Sequence, residues 1–419
     1  SLAKDTPGEV VFAVNIDATI PDGVIGISNT ASIADDGTNG TDPDATNNAA
    51  KYESIFSSGA TEVCGTLSED TTWSPAESPY LMTCDVTIPS GVTLTIQPGT
   101  IIKYISTSRR LVVNGILVAD GLDNSKIHFT SYKDDSIGGD SNGDGSASSP
   151  ASGDWSSIII NSEGVAFIDN TIIRYGGYGS STDALIKVVN GGSLTLTNSL
   201  LEHSLQYGVY LASMEDPILL NNTIQNCNYD GIYFYETDSD GIPVSPEIRG
   251  NVINNTRTPI VISAEEGYSG SNLITDNTGT GNTYQQIHIG PSLVGTVRLG
   301  ATNGFDWGFG TLRVTDGAIW EIGPDEVFKI SGEVYIDVRG TIQTVGTTAA
   351  QPAVFTEAAD NDYGHPVGLT EITPWQGIYV NSTGIAILDH TVIRHAGYGH
   401  FTDALIKVVN GGSLTLTNS

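Results

Sequence analysis

The same 17-residue segment occurs twice in the chain. It reads DALIKVVNGGSLTLTNS at Asp183–Ser199 and again at Asp403–Ser419, 220 residues further on. Other distinctive residues correspond at the same distance, such as Trp155 with Trp375. Repetition on this scale indicates a duplicated structural unit, because two copies of one sequence are expected to fold and pack in the same way.

The duplication divides most of the chain into two predicted modules. The first spans 63–290, and the second, 291–419, is a truncated copy that stops near the middle of the first. The loop between Phe129 and Trp155 is six residues longer than its counterpart. A module that stops midway leaves unpaired backbone groups. We therefore expect either a longer polypeptide of tandem modules or subunits that complete one another end to end, in the second case as a filament.

A shorter repeat runs inside the first module. Asn170, Asn198, Asn222 and Asn251 head short β-branched strands at spacings of 28, 24 and 29 residues. The 49 Gly and 17 Pro, together with only 2 Met, disfavour helices between these strands. The pattern predicts an all-β parallel solenoid in which inward side chains stack in columns and asparagines form hydrogen-bonded ladders.

Two kinds of segment carry a resemblance to a known family. Val86–Gly99 reads VTIPSGVTLTIQPG, and strand starts such as Asn221–Ile224 read NNTI. With these features, residues 63–419 resemble the right-handed parallel β-helix repeat family. The resemblance implies the fold only, because this solenoid carries lyases, hydrolases, adhesins and passive stalks alike.

Residues 1–54 form a separate predicted segment, followed by a short linker at 55–62. The stretch Ile27–Ala31, with Gly23 before it and the Asp42-Pro43 ending after it, resembles the carboxyl-terminal half of a DUF11 repeat. That family is an immunoglobulin-like β-sandwich of bacterial and archaeal surface proteins. The resemblance implies a partial sandwich and a secreted or cell-surface, prokaryotic location.

The charge balance excludes several classes of partner. Against 48 Asp and Glu there are 17 Lys and Arg, which gives a net charge of −31. Such a chain does not suit nucleic acid or anionic lipid, both of which need a basic surface. No run of 18 apolar residues is present, so no membrane insertion of this segment is expected. An acidic surface does suit divalent cations.

The best metal motif lies in the long loop of the first module. Asp140-x-Asn142-x-Asp144-Gly145 places oxygen donors at alternating positions before a glycine, as in the first half of a calcium loop. The alternative is a solvated acidic turn. The candidate ligands for a structural Ca²⁺ are Asp134, Asp135, Asp140, Asn142, Asp144 and Asp154, with Asp360 and Asp362 as a weaker second site.

The three cysteines suggest one crosslink. Cys64 and Cys84 flank the start of the solenoid, where a disulfide would secure the open first turn. The alternative is two reduced, buried thiols. Cys227 is interpreted as a small core residue.

Two functions remain open at this stage. The Gly-His-Gly and Arg-Ile-Lys elements of pectin hydrolases with this fold are absent. Arg174 and Arg394 are either bases acting on an acidic sugar or partners of an Asp that holds a loop. Strand alternation turns half of the aromatics Tyr229, Tyr233, Phe234 and Tyr235 inward, and the others offer a surface for a glycan. The first hypothesis is therefore a non-enzymatic stalk, adhesin or filament segment, and the second is a carbohydrate-active enzyme or glycan binder.

Overall fold

The computed structural model describes residues 26–32, 49–55, 60–161, 163–212, 216–236, 243–300, 304–366, 371–381, 383–398 and 404–419. The chain divides into two compact units, 1–58 and 59–419. The division between the units falls within the predicted linker at 55–62. Ile55 ends a strand of the first unit, and Thr61 begins the first strand of the second.

The first unit contains an antiparallel pair of strands. Gly26–Ser32 pairs with Ala49–Ile55, so that Gly26 lies opposite Ile55. The first strand coincides with the alternating run predicted there. The earlier alternating run at 10–16 and the acidic loop at 35–44 lie outside the described residues. The immunoglobulin-like interpretation of this segment stays a prediction.

The second unit is a stack of short parallel strands with one 3-10 turn, Pro75–Glu77, and no α-helix among its described residues. Its strands lie in three sheets. The strands of the eight-stranded sheet are Thr71–Trp73, Thr93–Ile96, Ile116–Asp120, Val165–Asp169, Ser193–Thr197, Ile218–Leu220, Glu247–Arg249 and Ile274–Thr275. The strands of the five-stranded sheet are Thr296–Arg298, Ile319–Ile322, Thr341–Thr344, Ile385–Asp389 and Ser413–Thr417.

The third sheet supplies the other two sides of each turn. Its 23 strands are Thr61–Thr66, Tyr80–Ile88, Ile101–Tyr104, Leu111–Val113, Ile127–Ser131, Ile158–Ile160, Thr171–Arg174, Ala184–Val188, Leu200–Glu202, Tyr207–Ala212, Thr223–Gln225, Ile232–Glu236, Val252–Asn254, Ile260–Tyr268, Gln286–Leu293, Asp306–Phe309, Leu312–Val314, Val327–Ile330, Tyr335–Val338, Ala353–Glu357, Gly377–Val380, Thr391–Ile393 and Ile406–Val408. Strands from successive turns pair in parallel, which is the predicted all-β parallel solenoid.

The two predicted modules form one continuous solenoid. Ile260–Tyr268 pairs with Gln286–Leu293, which in turn pairs with both Asp306–Phe309 and Leu312–Val314. Gly290 and Pro291 both lie within one of these strands, so the ladder continues across the predicted module boundary at 290/291.

Side-chain alternation fills the interior. Ile158 and Ile160 are fully buried, and they stack between Leu111 and Val113 on one side and Ile186 and Val188 on the other. Successive side chains of a strand point to opposite faces, so every second residue joins this core. One apolar column therefore runs through both copies.

A ladder of buried polar side chains runs beside the apolar core. Asn251 accepts hydrogen bonds at Oδ1 from the backbone N–H (2.9 Å) and from Nδ2 (3.0 Å) of Asn222. It donates from Nδ2 to Oδ1 of Asn277 (3.0 Å) and to the carbonyl of Leu219 (2.9 Å). The predicted asparagine ladder is thus present. Asn170 and Asn198 instead adopt positive φ just before the ladder positions, which are occupied there by Thr171 and Ser199.

Candidate functional site

A buried lysine anchors the long loop of the first copy. Lys103 is fully buried, and its Nζ donates to the carbonyls of Asp134 (2.9 Å) and Gly139 (2.7 Å). Burial lowers the pKa of Lys103, although Asp134 and two other nearby carboxylates oppose that shift. The ammonium group therefore holds the loop through these two hydrogen bonds and is shielded from solvent.

Asp134 is the second anchor of this loop. Its carboxylate accepts hydrogen bonds from Thr130 (2.6 Å) and Ser136 (2.6 Å) and lies 2.7 Å from a guanidinium nitrogen of Arg174. Burial acts to raise the pKa of Asp134, but these hydrogen bonds and Arg174 hold it below its usual value. Protein donors thus contact both oxygens of Asp134, and its role as a calcium ligand stays a prediction.

The second copy repeats this arrangement with equivalent residues. Lys329 donates to the carbonyls of Asp360 (2.7 Å) and His365 (3.1 Å). Arg394 lies 3.3 Å from the carboxylate of Asp360 and 2.8 Å from that of Asp362. Both carboxylates of the weaker predicted metal site, Asp360 and Asp362, pair with Arg394, and that site stays a prediction. Of the two interpretations of Arg174 and Arg394, the loop-holding one matches these contacts.

The tip of the long loop brings three other carboxylates together. Oxygens of Asp135, Asp140 and Asp144 lie within 4.8 Å of one another. Asp140 also accepts hydrogen bonds from the backbone of Gly143 (2.7 Å) and Gly145 (2.8 Å). Both glycines have positive φ, 70° and 74°, which favours glycine at these positions. The sequence motif therefore forms a tight acidic turn.

Two further predicted ligands contribute differently to this loop. Asn142 donates from Nδ2 to Asp144 (2.9 Å), and its Oδ1 accepts a longer hydrogen bond from the backbone N–H of Asp144 (3.4 Å). Asp154 accepts hydrogen bonds from Ser131 (2.8 Å) and Lys133 (2.8 Å). Asp154 is absent from the carboxylate cluster that the described residues form, and its role as a ligand stays a prediction.

The start of the solenoid is crosslinked. Cys64 and Cys84 form a disulfide between the strands Thr61–Thr66 and Tyr80–Ile88. This is the predicted pairing. Cys227 is buried, and burial raises the pKa of its thiol to about 12, which makes it a core residue of low reactivity.

A titratable cluster that sequence reasoning missed lies in the second copy. Glu326, Asp306 and His365 line a cavity of about 180 Å³. Burial raises the pKa of Glu326 to about 7, and its Oε2 has no hydrogen-bond partner among the described residues. His365 Nδ1 lies 3.0 Å from Asp306, and this contact raises the pKa of His365. The first copy has Pro79, Thr100 and Gly139 at the corresponding positions, so the duplication carried no signal for this cluster.

The aromatic side chains around Tyr233 alternate between the core and the outer face of the sheet, as strand geometry requires. Phe234 is fully buried in the core. Tyr233 lies on the outer face and stacks on Tyr210 of the preceding turn, with ring centroids 5.7 Å apart. Tyr207 and Tyr210, which the sequence analysis did not single out, are only 8% and 7% exposed. These tyrosines mainly cover one another.

Comparison with known proteins agrees with this architecture. Residues 122–292 match the family model described as right handed beta helix region. None of the curated proteins and none of the solved structures gives a significant match. Among the described residues, no helix has the length and apolar character needed to cross a membrane. The second unit therefore has the fold of a right-handed parallel β-helix, and the family match covers residues 122–292 of it.

Proposed function

We propose that the chain is a non-enzymatic structural segment of a secreted or cell-surface prokaryotic protein, acting in a stalk, adhesin or extracellular filament. The observation that carries the proposal is the continuity of the two copies. The strand Gln286–Leu293 joins the ladder of the first copy to that of the second. A solenoid that adds copies without interrupting its core makes a long, stiff element.

The residues kept between the copies support this proposal. Lys103 and Lys329 hold the backbone of corresponding loops, and Arg174 and Arg394 pair with carboxylates of those loops. In contrast, the cavity around Glu326 has no equivalent in the first copy. Duplication therefore retained the groups that hold the scaffold, as expected where the scaffold itself is the function.

The proposal includes end-to-end partners. Turns of the second copy stack on turns of the first through parallel backbone hydrogen bonds. Further modules, or neighbouring molecules of the same chain, can add in the same geometry, since each turn presents the same kind of ladder.

The proposal also includes a structural calcium ion at the loop tip. Asp135, Asp140 and Asp144 supply carboxylate oxygens, and Asn142 supplies an amide oxygen, which are the donors that Ca²⁺ prefers. The ion would offset the repulsion among three carboxylates in one turn. It would stabilise a surface loop and take no part in chemistry.

An activity screen tests the non-enzymatic proposal. The purified chain is incubated with neutral and acidic polysaccharides, while reducing ends and the absorbance of unsaturated uronates are followed. We expect no product above the level of a heat-denatured sample. Turnover of any polysaccharide would contradict the proposal.

The alternative is a carbohydrate-active enzyme, and the Glu326 cavity is the observation that favours it. A carboxyl group with a pKa of about 7 can act as a general acid near neutral pH. In that case Glu326→Gln would abolish the turnover found in the screen. A matched Glu333→Gln variant, changed in an exposed turn, would keep it.

A further inference from the structure

The second copy carries a polar groove of about 540 Å³ on the outer face of its strands. It spans the strands Leu312–Val314, Tyr335–Val338, Gly377–Val380 and Ile406–Val408. The side chains that give it its chemical character are Arg313, Tyr335, Asp337, Arg339, Tyr379 and Lys407.

Two guanidinium groups share one carboxylate in this groove. Asp337 Oδ2 lies 3.1 Å from Nε of Arg313 and 3.0 Å from Nε of Arg339. The Arg313 and Arg339 side chains remain 48% and 38% exposed, whereas that of Asp337 is only 5% exposed. The carboxylate therefore positions two arginines and leaves the trio with a charge of +1. Lys407 adds a further positive charge to the groove.

The groove retains unused hydrogen-bonding capacity. Because each guanidinium presents five N–H donors and contacts Asp337 through Nε, further donors are available to an anion.

Aromatic surface adjoins these charges. The rings of Tyr335 and Tyr379 lie on neighbouring turns, with centroids 5.0 Å apart and planes inclined by 54°. Tyrosine faces next to hydrogen-bonding groups suit a ring that has both an apolar face and polar substituents.

The first copy shows that the solenoid does not require these side chains. Its column Thr87, Val112, Ile159 and Lys187 follows the same strand register as Arg313, Asp337, Tyr379 and Lys407 in the second copy. Arg339 likewise corresponds to Asn114. The second copy thus has two arginines and a tyrosine where the first has Thr, Asn and Ile on the same scaffold.

We propose that this groove binds an anionic saccharide, a sugar ring that carries a carboxylate or sulfate group. The guanidinium groups of Arg313 and Arg339 receive the negative charge, and the tyrosines pack against the ring. A net positive groove on a chain of net charge −31 is a local exception that attracts an anion to one place. This binding site goes beyond the structural role proposed above and stands independently of it.

Calorimetric titration with a hyaluronan tetrasaccharide tests the proposal, with chitotetraose as the uncharged comparison. The variants Arg313→Thr, Arg339→Asn and Tyr379→Ile each install the residue of the first copy. Because the solenoid already contains these residues at the equivalent positions, we expect the variants to fold. We expect each to weaken hyaluronan binding by about tenfold, the scale of one charge-assisted hydrogen bond or one ring contact. Arg110→Thr is the matched control, because Arg110 is also 48% exposed and paired with one aspartate, Asp85. It should bind as the unaltered chain does.

Three outcomes overturn the proposal. The first is the absence of hyaluronan binding by the unaltered chain, and the second is equal binding of chitotetraose. The third is a Tyr379→Ile variant that binds normally while inorganic sulfate competes fully, which would indicate a simple anion site. Thermal melts of all variants show whether each one is folded, so that a loss of binding can be distinguished from a loss of structure.

Discussion

Arg174 pairs with Asp134, forty residues earlier in the chain, at 2.7 Å, and the second copy repeats the contact between Arg394 and Asp360 at 3.3 Å. In both copies the contact closes a long loop that leaves the solenoid between two strands. A buried ion pair costs desolvation, so its benefit here is fixed loop geometry more than stability.

The buried lysine provides the first test of this loop anchor. Replacing Lys103 with Met removes a donor that satisfies two carbonyls, those of Asp134 and Gly139. Unsatisfied buried carbonyls cost about 1–3 kcal/mol each, and relaxation of the loop recovers part of this, so we expect the free energy of unfolding to fall by about 2 kcal/mol. Urea denaturation measures it. Lys126→Met is the control, since Lys126 is partly exposed, and it should change stability by less than about 0.5 kcal/mol. Equal effects of the two substitutions would show that Lys103 anchors nothing.

The asparagine ladder gives a second prediction. Asn251→Ala removes hydrogen bonds to Asn222, Asn277 and the carbonyl of Leu219 and leaves buried groups without partners. We expect a loss of about 3 kcal/mol in the free energy of unfolding. Asn124→Ala, at an exposed turn, is the matched control and should be near neutral. If the Asn251→Ala variant is as stable as the control, these hydrogen bonds make no net contribution to the free energy of unfolding.

The raised pKa of Glu326 predicts a pH dependence. The carboxyl ionises near 4.5 in the unfolded chain and near 7 in the folded one, where burial outweighs the opposing effects of the Gly323 N–H and Arg298. Stability from this group is therefore complete below pH 4.5 and is lost as the pH rises to 7 and above. The loss amounts to about 3 kcal/mol at 1.36 kcal/mol per pH unit.

Glu326→Gln isolates that contribution. The amide stays neutral, so the difference in unfolding free energy between this variant and the unaltered chain should grow in favour of the variant between pH 5 and pH 8. The pKa of His365 is raised by Asp306 in both proteins, so the titration of His365 cancels in the difference. A difference that stays flat with pH would be incompatible with the buried, raised carboxyl.

Calcium at the loop tip is tested by linkage. A cation bound only to the folded chain raises the melting temperature, and excess chelator should lower it again. In Asp140→Asn/Asp144→Asn the melting temperature should no longer respond to calcium. Asp123→Asn, whose side chain is 98% exposed and outside the cluster, should respond as the unaltered chain does. No response of the unaltered chain to chelator would leave the cluster as a plain acidic turn.

Much of the fold was predictable because periodicity reports it directly. A 17-letter repeat and strands at spacings of 24 to 29 residues require stacked turns, and Asn222 and Asn251 fall where the buried ladder forms. Side-chain pairing across turns was harder to predict from the sequence. The alternating oxygen donors around Asp140 gave the turn correctly, but the pattern could not show that Lys103 and Arg174 already engage the Asp134 side of the loop.

The side-chain clusters of the second copy could not be predicted from the sequence for a different reason. Glu326, Asp306 and His365 meet only because three turns stack, and His365 lies 59 residues from Asp306. The two arginines that share Asp337 likewise come from different positions along the solenoid. Neither cluster is repeated in the first copy, so the duplication that revealed the scaffold gave no sign of them.

Immunogold electron microscopy of the source cells, with antibody raised to this chain, tests the central claim most directly. The account predicts gold label on extracellular fibres or stalks, and uniform rods or fibres in the detached material. Label confined to the cell interior, together with detached material that consists of isolated single particles, would contradict a structural role at the cell surface.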